Sequence, residues 1–297
     1  MQTLDYTVPA QDDGLRLSTL ILRRMGVSHG QLSRVKFRGA LLLDGQPAHA
    51  DALVRAGQLV TLALPPDSGP ALRPYSLALR IAYEDDALLA IDKPAPLPSV
   101  SSPRQDGLTL ENAVYSYFGC PENFVYRPVN RLDKGTSGLM LVAKNAHAQH
   151  LLQQLLHSDA FARVYLAVCE GAPSPPAGVI DRPLRKADGP TVRREIAPPG
   201  EGRSAVTEYR TQSVGNDRSL IELRLQTGRT HQIRVHLQSV GCPVCGDFLY
   251  GSELPALPGR FALHSHRIEL THPLSGQRLL LESPLPTELA ALLRKGG

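Results

Sequence analysis

The feature that most constrains this fold is a proline-rich break near residue 70. The segment Pro65-Pro66-Asp67-Ser68-Gly69-Pro70, followed by Pro74, is typical of an exposed connection because proline interrupts helices and strands. The sequence therefore predicts three parts: a domain over residues 1–64, a linker over 65–78 and a larger domain over 79–297. The chain has 297 residues, 42% of them hydrophobic, and this is enough to bury a sizeable core.

The N-terminal part has the pattern of two short helices and a small sheet. Leu17 and Leu20 recur at helical spacing, and Ser28 is a suitable cap for a second helix. Apolar runs at 41–43 and 59–64, bounded by turn residues, predict short strands. We expect a small α/β domain.

Three basic residues, Arg34, Lys36 and Arg38, alternate along the second helix and its exit. The ordinary explanation is a solvated basic face. The functional explanation is contact with nucleic-acid phosphates, because Lys and Arg that bind phosphate release condensed counterions. The net charge of +4 is compatible with a polyanionic partner without requiring one.

The larger domain has the pattern of an α+β fold with a mixed, mainly antiparallel central sheet flanked by helices. Helices are predicted over 108–118 and 147–157. Strands are predicted at 80–82, 88–91, 139–143, 164–169, 220–225, 262–263, 267–270 and 279–281. Their alternating character and irregular spacing argue against a doubly wound parallel sheet.

The four cysteines and the absence of an apolar leader predict a cytoplasmic protein with reduced thiols and no membrane span. Cys242 and Cys245 have CxxC spacing, but no second pair completes a zinc site, so we interpret them as incidental. We expect no metal, no cofactor and a monomer.

The stretch VNRLDKGTSGLMLV places a carboxylate beside a turn. If the segment is extended, Arg131 and Asp133 share a face while Leu132 points into the core. The small residues of the GTSG turn leave the carboxylate open to a ligand. The ordinary alternative is that Asp133 caps the turn or pairs with Arg131.

The stretch TGRTHQIRVHL predicts a strand end, a glycine turn and the start of a helix that Thr230 could cap. His231 and Arg234 are three apart on one helical face, so Arg234 can offer its guanidinium to a buried carboxylate or phosphate. The alternative for Arg229 and Arg234 is a surface pair. A zinc site of His231 and His236 is rejected, because their spacing does not place them on one face.

The stretch FARVYLAV predicts a strand in which Arg163, Tyr165 and Ala167 share a side. By itself, a tyrosine such as Tyr165 is most often a half-buried packing residue.

Together, NRLDKGTSGLML, RVYLAV, TGRTHQIRVHL and PVCGDFLYG resemble the signatures of the RluA family of pseudouridine synthases. The stretches IAYEDDALLAIDKPAPLP and LHSHRIELTHPLSG extend the resemblance over the whole larger domain. The pieces RLSTLI, SHGQLSRVKFRGALLLDGQP and VRAGQLV resemble an S-four-like RNA-binding module, an arrangement known in this family. The resemblance implies an enzyme that isomerises uridine to pseudouridine in structured RNA, ribosomal or transfer RNA, with RNA as its partner. The front module favours ribosomal RNA, and we expect large-subunit ribosomal RNA to be the substrate.

The resemblance also implies roles for individual residues. Asp133 matches the essential catalytic aspartate, and Arg234 matches the arginine that forms a salt bridge with it. Tyr165 matches a tyrosine that packs against the target base and is a candidate proton acceptor. Arg131 matches the arginine that helps to displace the target nucleotide from the RNA stack.

Basic groups around the site, Arg229 and His231 with Arg131, are expected to hold the RNA, and Leu132 and Ile233 are expected to form apolar walls. The reaction breaks the N-glycosidic bond, rotates the uracil and rejoins it through carbon five. The carboxylate can act as a nucleophile on the sugar or as a base that removes a ribose proton, and the sequence leaves both routes open. The target base must first leave its stack.

The chain departs from the family pattern at three places: Asn130 stands where His is usual, Asp92 where Asn is common, and Arg163 where Lys is frequent. Two other functions compete with the isomerase. One is a non-catalytic RNA-binding protein. The other is an aspartate-based glycosidase, which would need a second carboxylate such as Asp92 or Asp247.

Overall fold

The structure is a computed structural model that describes residues 2–65, 72–102, 107–156, 158, 160–215 and 217–294. The described residues form a four-stranded sheet before the proline-rich break, and a nine-stranded and a two-stranded sheet after it. The four-stranded and nine-stranded sheets each have their own apolar core. Within the described ranges, no helix has the length and apolar character needed to cross a membrane.

The N-terminal unit contains two helices and a four-stranded antiparallel sheet in the order β1-β4-β2-β3. Its elements are β1 (Gln2–Thr7), α1 (Leu17–Arg23), α2 (His29–Arg38), β2 (Ala40–Leu43), β3 (Gln46–Pro47) and β4 (Leu59–Leu64). The predicted helices and both predicted strands are confirmed. The edge strand β1, which was not predicted, pairs along its whole length with β4.

Helix α2 begins where the sequence predicts. The Ser28 hydroxyl accepts a hydrogen bond from the Gln31 backbone N–H at 3.1 Å, and the Gln31 side chain accepts one from the Ser28 N–H at 3.0 Å. This reciprocal pair satisfies two N–H groups that the helix itself cannot. The side chains of Leu32 and Val35 face the core, whereas Arg34, Lys36 and Arg38 are exposed.

The larger domain contains a nine-stranded sheet, a separate two-stranded sheet and four helices among the residues described. Its elements are β5 (Arg80–Glu84), β6 (Leu88–Lys93), α3 (Leu110–Tyr117), β7 (Ser137–Ala143), α4 (Ala146–Leu155), β8 (Phe161–Glu170), β9 (Ala177–Asp181), β10 (Leu184–Lys186), β11 (Arg194–Ile196), β12 (Val206–Val214), β13 (Arg218–Leu225), α5 (Gln232–Ser239), β14 (Leu263–Thr271), β15 (Arg278–Glu282) and α6 (Thr287–Ala291).

The nine-stranded sheet has the order β5-β6-β7-β14-β8-β13-β12-β9, and β15 pairs with β14. Strands β7 and β14 pair in parallel, and every other pairing in the described part of this sheet is antiparallel. The predicted α+β class with a mixed, mainly antiparallel sheet is confirmed.

The element predictions differ from the structure in three ways. Strands β9 to β12 and helix α6 were not predicted. The two strands expected at 262–263 and 267–270 are one strand, β14. The helix expected over 147–157 is α4, which ends at Leu155, and residue 157 lies outside the described residues.

The predicted linker runs along α3. Residues 66–71 lie outside the described residues, but the segment after them is tied down at two points. The carbonyl of Arg73 accepts a hydrogen bond from the Asn112 side chain at 2.8 Å. The N–H of Tyr75 donates to the Ser116 hydroxyl at 2.7 Å.

The N-terminal unit packs against α4. Gly26 has a φ of +62°, and a Cβ placed there would lie 2.5 Å from Cδ2 of Leu151. The backbone of Gly26 thus lies directly against the Leu151 side chain, and this contact joins the two parts of the chain at α4.

Candidate active site

A cavity of about 650 Å³ opens where three segments of the larger domain meet. They are the segment that leads into β7, the start of β8, and the TGRTHQIR segment that begins α5. Six of the nine predicted catalytic and RNA-binding residues line it: Arg131, Asp133, Tyr165, Arg229, His231 and Arg234. The basic residues of α2 do not line it. Lys36 instead borders a separate groove of about 560 Å³ on the N-terminal unit.

The backbone around Asp133 is fixed by a neighbouring loop. The Ser99 hydroxyl donates to the Leu132 carbonyl at 2.6 Å and accepts from the Leu132 N–H at 3.1 Å. The Leu97 N–H donates to the Lys134 carbonyl at 2.9 Å. Leu132 is buried and Arg131 is exposed, as the alternation predicted. The carboxylate of Asp133 is thus held at a defined place in the cavity wall.

The carboxylate of Asp133 pairs with Arg234. Nη1 of Arg234 donates to Oδ2 of Asp133 at 3.0 Å, and the Asp133 side chain stays 28% exposed to the cavity. The turn after it is closed by the backbone carbonyl of Asp133, which accepts from the Thr136 N–H at 3.1 Å. The side chain is therefore not used as a turn cap.

Arg234 is held from several directions. Its Nε and Nη2 donate to the two carboxylate oxygens of Asp247 at 2.6 and 2.7 Å. Its guanidinium carbon lies 4.1 Å from the ring centre of Phe261 and 4.9 Å from that of Tyr250. Such a two-bond fork with stacked aromatic rings fixes the guanidinium plane, which then aims Nη1 at Asp133.

Asp247 and Tyr250 are functional candidates that the sequence reasoning missed. Asp247 was weighed only as the second carboxylate of a glycosidase. It is fully buried, it binds Arg234 through both oxygens, and Oδ1 also accepts from the Leu249 N–H at 3.0 Å. It is therefore committed to the arginine, and Asp92 does not line the cavity. Both residues lie in the stretch GDFLYG, part of a family signature, which could have indicated them from the sequence.

His231 begins α5 with a left-handed backbone, φ +59° and ψ +15°. The prediction that Thr230 caps this helix is wrong, because the N-cap residue is His231 and no side chain caps it. The Gln232 side chain instead accepts from the Arg229 N–H at 2.9 Å, and this bond closes the turn before the helix.

The side chain of His231 connects Tyr250 to Asp133. The Tyr250 hydroxyl accepts from the Arg194 N–H at 2.7 Å and lies 2.8 Å from Nδ1 of His231. Nε2 of His231 lies 3.9 Å from Oδ2 of Asp133. We assign the Nε2–H tautomer, since it lets the hydroxyl donate to Nδ1 and turns an N–H toward the carboxylate. Burial lowers the pKa of His231, which favours this neutral form.

Tyr165 is 5% exposed and belongs to the same apolar cluster as Leu132 and Ile233, which also line the cavity. Burial raises its pKa, so the phenol keeps its proton. A buried aromatic ring beside two aliphatic side chains makes a surface on which a planar base can stack.

The remaining residues singled out in the sequence lie at the cavity rim or behind it. Arg131 is exposed, and Nε of Arg229 donates to the Ser204 carbonyl at 2.9 Å. Asn130 is buried, and its Oδ1 accepts from the Leu141 N–H at 2.8 Å, which ties the segment to β7. His236 is directed away from the cavity, toward Thr207 and Arg182.

Among the residues that the structure describes, no group of three or more His, Cys, Asp or Glu side chains is placed to hold a metal ion. Cys242 and Cys245 are buried free thiols. Their interpretation as incidental stays a prediction.

Solved structures with this architecture are pseudouridine synthases. The human protein RNA pseudouridylate synthase domain containing 4 aligns with a TM-score of 0.57 and 25% identity, over 72% of this chain and 92% of that one. A second human protein, RNA pseudouridylate synthase domain containing 1, shares the fold with a TM-score of 0.59 at 24% identity. The fold is that of a pseudouridine synthase.

Sequence comparison gives the family. A family model described as RNA pseudouridylate synthase matches residues 87–239. A ribosomal large subunit pseudouridine synthase D of Xanthomonas campestris is 37% identical over 286 residues, which cover 90% of this chain and 84% of the relative. An uncharacterised RNA pseudouridine synthase of Bacillus subtilis is 31% identical, covering 91% of this chain and 95% of the relative. The chain belongs to the RNA pseudouridylate synthase family, whose members are isomerases that modify RNA.

Proposed function

We propose that this synthase isomerises uridine in large-subunit ribosomal RNA, with Asp133 as its catalytic carboxylate. The observation that carries the assignment is the carboxylate of Asp133, partly exposed in the cavity wall and held by Nη1 of Arg234 at 3.0 Å. Relatives named ribosomal large subunit pseudouridine synthase D, from Xanthomonas campestris and Nitrosomonas europaea, are each 37% identical to this chain and support the choice of RNA.

The reaction needs one extruded nucleotide in the cavity. A volume of about 650 Å³ suits a nucleotide, since small-molecule sites commonly measure roughly 300 to 1,000 Å³. Base flipping costs a few kcal/mol, and the exposed Arg131 at the cavity mouth would occupy the vacated place in the stack. The detached uracil would turn against the ring of Tyr165.

Asp133 acts on the sugar in one of two ways. As a nucleophile it forms a bond to the anomeric carbon while uracil leaves, and carbon five of uracil later displaces it. As a base it removes the ribose 2′ proton while uracil leaves to give a glycal, and it returns that proton to carbon 2′ when carbon five bonds to the anomeric carbon. In both routes uracil then rejoins through carbon five, which loses its proton. Arg234 orients the carboxylate, and Arg229 and His231 would position the nucleotide beside it.

The N-terminal unit would serve as an S-four-like RNA-binding module. Support comes from its two packed helices and small sheet, and from the exposure of Arg34, Lys36 and Arg38 on α2. We divide the chain as the sequence suggests, into this module over 1–64, a linker over 65–78 and the synthase domain over 79–297. We further propose a cytoplasmic monomer, in keeping with four free cysteines.

The test uses RNA labelled with tritium at carbon five of uridine. Ribosomal RNA from cells that lack this protein should release tritium with the wild type, and release should be abolished with Asp133→Asn. RNA affinity should stay within about twofold, because the substitution removes a catalytic oxygen and leaves every phosphate-binding side chain in place. Equal release by both proteins would show that Asp133 is not the catalytic carboxylate. Release from transfer RNA alone would refute the choice of ribosomal RNA.

A further inference from the structure

Arg163 is a buried charge in the cavity wall that the proposed chemistry does not use. It lies on β8 two residues before Tyr165 and lines the same cavity. Its exposed fraction is 8%, and its Nε is buried without a hydrogen-bond partner. Within the described ranges it makes no hydrogen bond or ion pair. Its guanidinium lies 5.9 Å from the ring centre of Phe161.

A buried cation without a counter-charge is unfavourable, because desolvation removes the water that would otherwise stabilise it. Other buried arginines near the cavity have carboxylate partners: Arg234 pairs with Asp133 and Asp247, and Arg260 pairs with Glu288. Asp133, the carboxylate of the cavity wall, is already held by Arg234. Within the described ranges no carboxylate pairs with Arg163, so an anion that enters the cavity would supply its compensating charge.

Gly228 keeps room for this guanidinium. A Cβ at Gly228 would lie 2.9 Å from Nη1 and 3.5 Å from Nη2 of Arg163, and the three nearest atoms all belong to that guanidinium. The glycine of the TGRTHQ segment thus lets Arg163 lie against the backbone at the cavity wall. This is a built position and not an incidental orientation of a long side chain.

We propose that Arg163 binds a backbone phosphate of the RNA at the target nucleotide. The inference rests on the proposed function, since it requires that this cavity receive the nucleotide. Phosphates are the anionic groups of RNA, and a guanidinium fork matches two phosphate oxygens. A neutral uracil oxygen would accept a hydrogen bond but would leave the buried charge uncompensated.

The first test is the salt dependence of RNA binding, measured with Asp133→Asn protein so that no turnover intervenes. Adding Arg163→Met should weaken binding and lower the slope of log K against log salt by roughly 0.7 to 0.9, the value of one bound phosphate. Arg210→Met removes the same charge from an exposed position on β12, outside the cavity, and should leave the slope unchanged. An equal loss in both variants would overturn the proposal, because it would reflect net charge alone.

The second test separates binding from structural support. Without RNA, Arg163→Met should raise Tm, because an uncompensated buried charge is replaced by an apolar side chain of similar length. A lower Tm together with an unchanged salt slope would overturn the proposal and make Arg163 a structural residue. Slower turnover with an unchanged slope would also overturn it, since the side chain would then meet an uncharged part of the nucleotide.

The third test uses Gly228→Ala, whose added methyl displaces the Arg163 guanidinium. It should weaken RNA binding in the parent protein and have little further effect once Arg163→Met is present. Additive losses would contradict the proposal. Binding needs no turnover. If the wild type released no tritium from ribosomal RNA but Arg163→Met still lowered the salt slope, the proposed substrate would be refuted and the phosphate site would stand.

Discussion

Arg234 shows how far the candidate chemistry depends on residues that do not touch the substrate. Three of its nitrogens donate to carboxylates, and its guanidinium lies close to the rings of Phe261 and Tyr250. Asp247 therefore determines the direction in which Nη1 points. The position of Asp133 depends in turn on that direction.

We predict that Asp247→Asn destabilises the protein and slows the reaction. The substitution leaves a buried arginine with one carboxylate partner in place of two, and breaking a buried ion pair costs about 3 kcal/mol in free energy of unfolding. Tritium release should fall more than RNA affinity does, because Arg234 no longer fixes Asp133. Urea unfolding and turnover measurements on the same preparation check both parts.

The matched control for this prediction is Glu269→Gln, which removes a partly exposed carboxylate that pairs with Arg267 at 3.1 Å. Its effect on the free energy of unfolding should stay below about 1 kcal/mol, as is usual for surface pairs. If the two variants lost equal stability and Asp247→Asn kept full turnover, Asp247 would have no role in positioning Arg234.

Some of the individual residues of the candidate active site could be predicted from the sequence. The spacing predicted that His231 and Arg234 share a helix face; His231 instead precedes the helix as its N-cap, but both side chains lie near Asp133. The partners behind them could not be predicted, because Asp247 and Tyr250 reach α5 through the fold and not through local spacing. A spacing of three or four positions predicts which side chains are neighbours on one helix, but it does not predict which loop packs against that helix.

Among the secondary-structure elements, the parallel pairing of β7 with β14 brings the Asp133 segment up to β8. This pairing depends on Gly138, which has a φ of +103°. Gly138 lies so close to β14 that a Cβ would be 2.2 Å from the Ser265 carbonyl oxygen. Backbone cannot yield to a methyl group in the way a flexible side chain can. The junction therefore requires glycine.

We predict that Gly138→Ala lowers the free energy of unfolding by more than about 2 kcal/mol, because backbone strain and a backbone clash act together. Gly119→Ala is the control, since Gly119 also has a positive φ, +75°, but nothing lies within 4 Å of its added Cβ. Chemical unfolding of both variants measures the difference. Equal losses would mean that the approach of β7 to β14 adds nothing beyond backbone strain.

The element predictions failed where the alternation of apolar and polar residues is interrupted. Strand β14 was expected as two pieces because its pairing with β8 shifts register between Ser265 and Arg267. A bulge adds one residue and reverses the faces beyond it, so a period of two cannot continue across it. Strand β12 lies near the sheet edge with many exposed residues, and its polar sequence resembles a loop.

For the whole molecule, we predict that stability falls on mild acidification. Burial lowers the pKa of four histidines, His147, His231, His236 and His264. The unfolded chain takes up these protons near pH 6.5, and the folded chain does so only at lower pH. The unfolded state thus binds more protons below that value, and the free energy of unfolding decreases as pH falls.

Urea unfolding at about pH 7.5 and about pH 5.5 measures this change. His147→Gln removes one of the four groups and should reduce the loss of stability between the two pH values. A free energy of unfolding that stays constant or rises on acidification would contradict the prediction.

The exposed basic residues of α2 are expected to contribute to RNA binding by the N-terminal unit. Arg34→Ala combined with Lys36→Ala should weaken RNA binding and flatten its salt dependence, by roughly 0.7 to 0.9 in slope for each phosphate that the variant no longer binds. Arg278→Ala, an exposed arginine of β15, is the control and should change neither quantity. An unchanged slope in the double variant would show that α2 does not contact RNA.

The contact of Gly26 with Leu151 has a consequence for the RNA itself. Helix α4 touches the N-terminal unit on one side, and Gln153 and Leu156 at its end line the cavity. Helix α4 therefore links the N-terminal unit directly to the cavity proposed to receive the uridine. If the N-terminal unit binds an RNA helix, its distance from the cavity is set by the protein. We therefore expect the protein to select RNAs by the distance between the bound helix and the extruded uridine more than by base sequence.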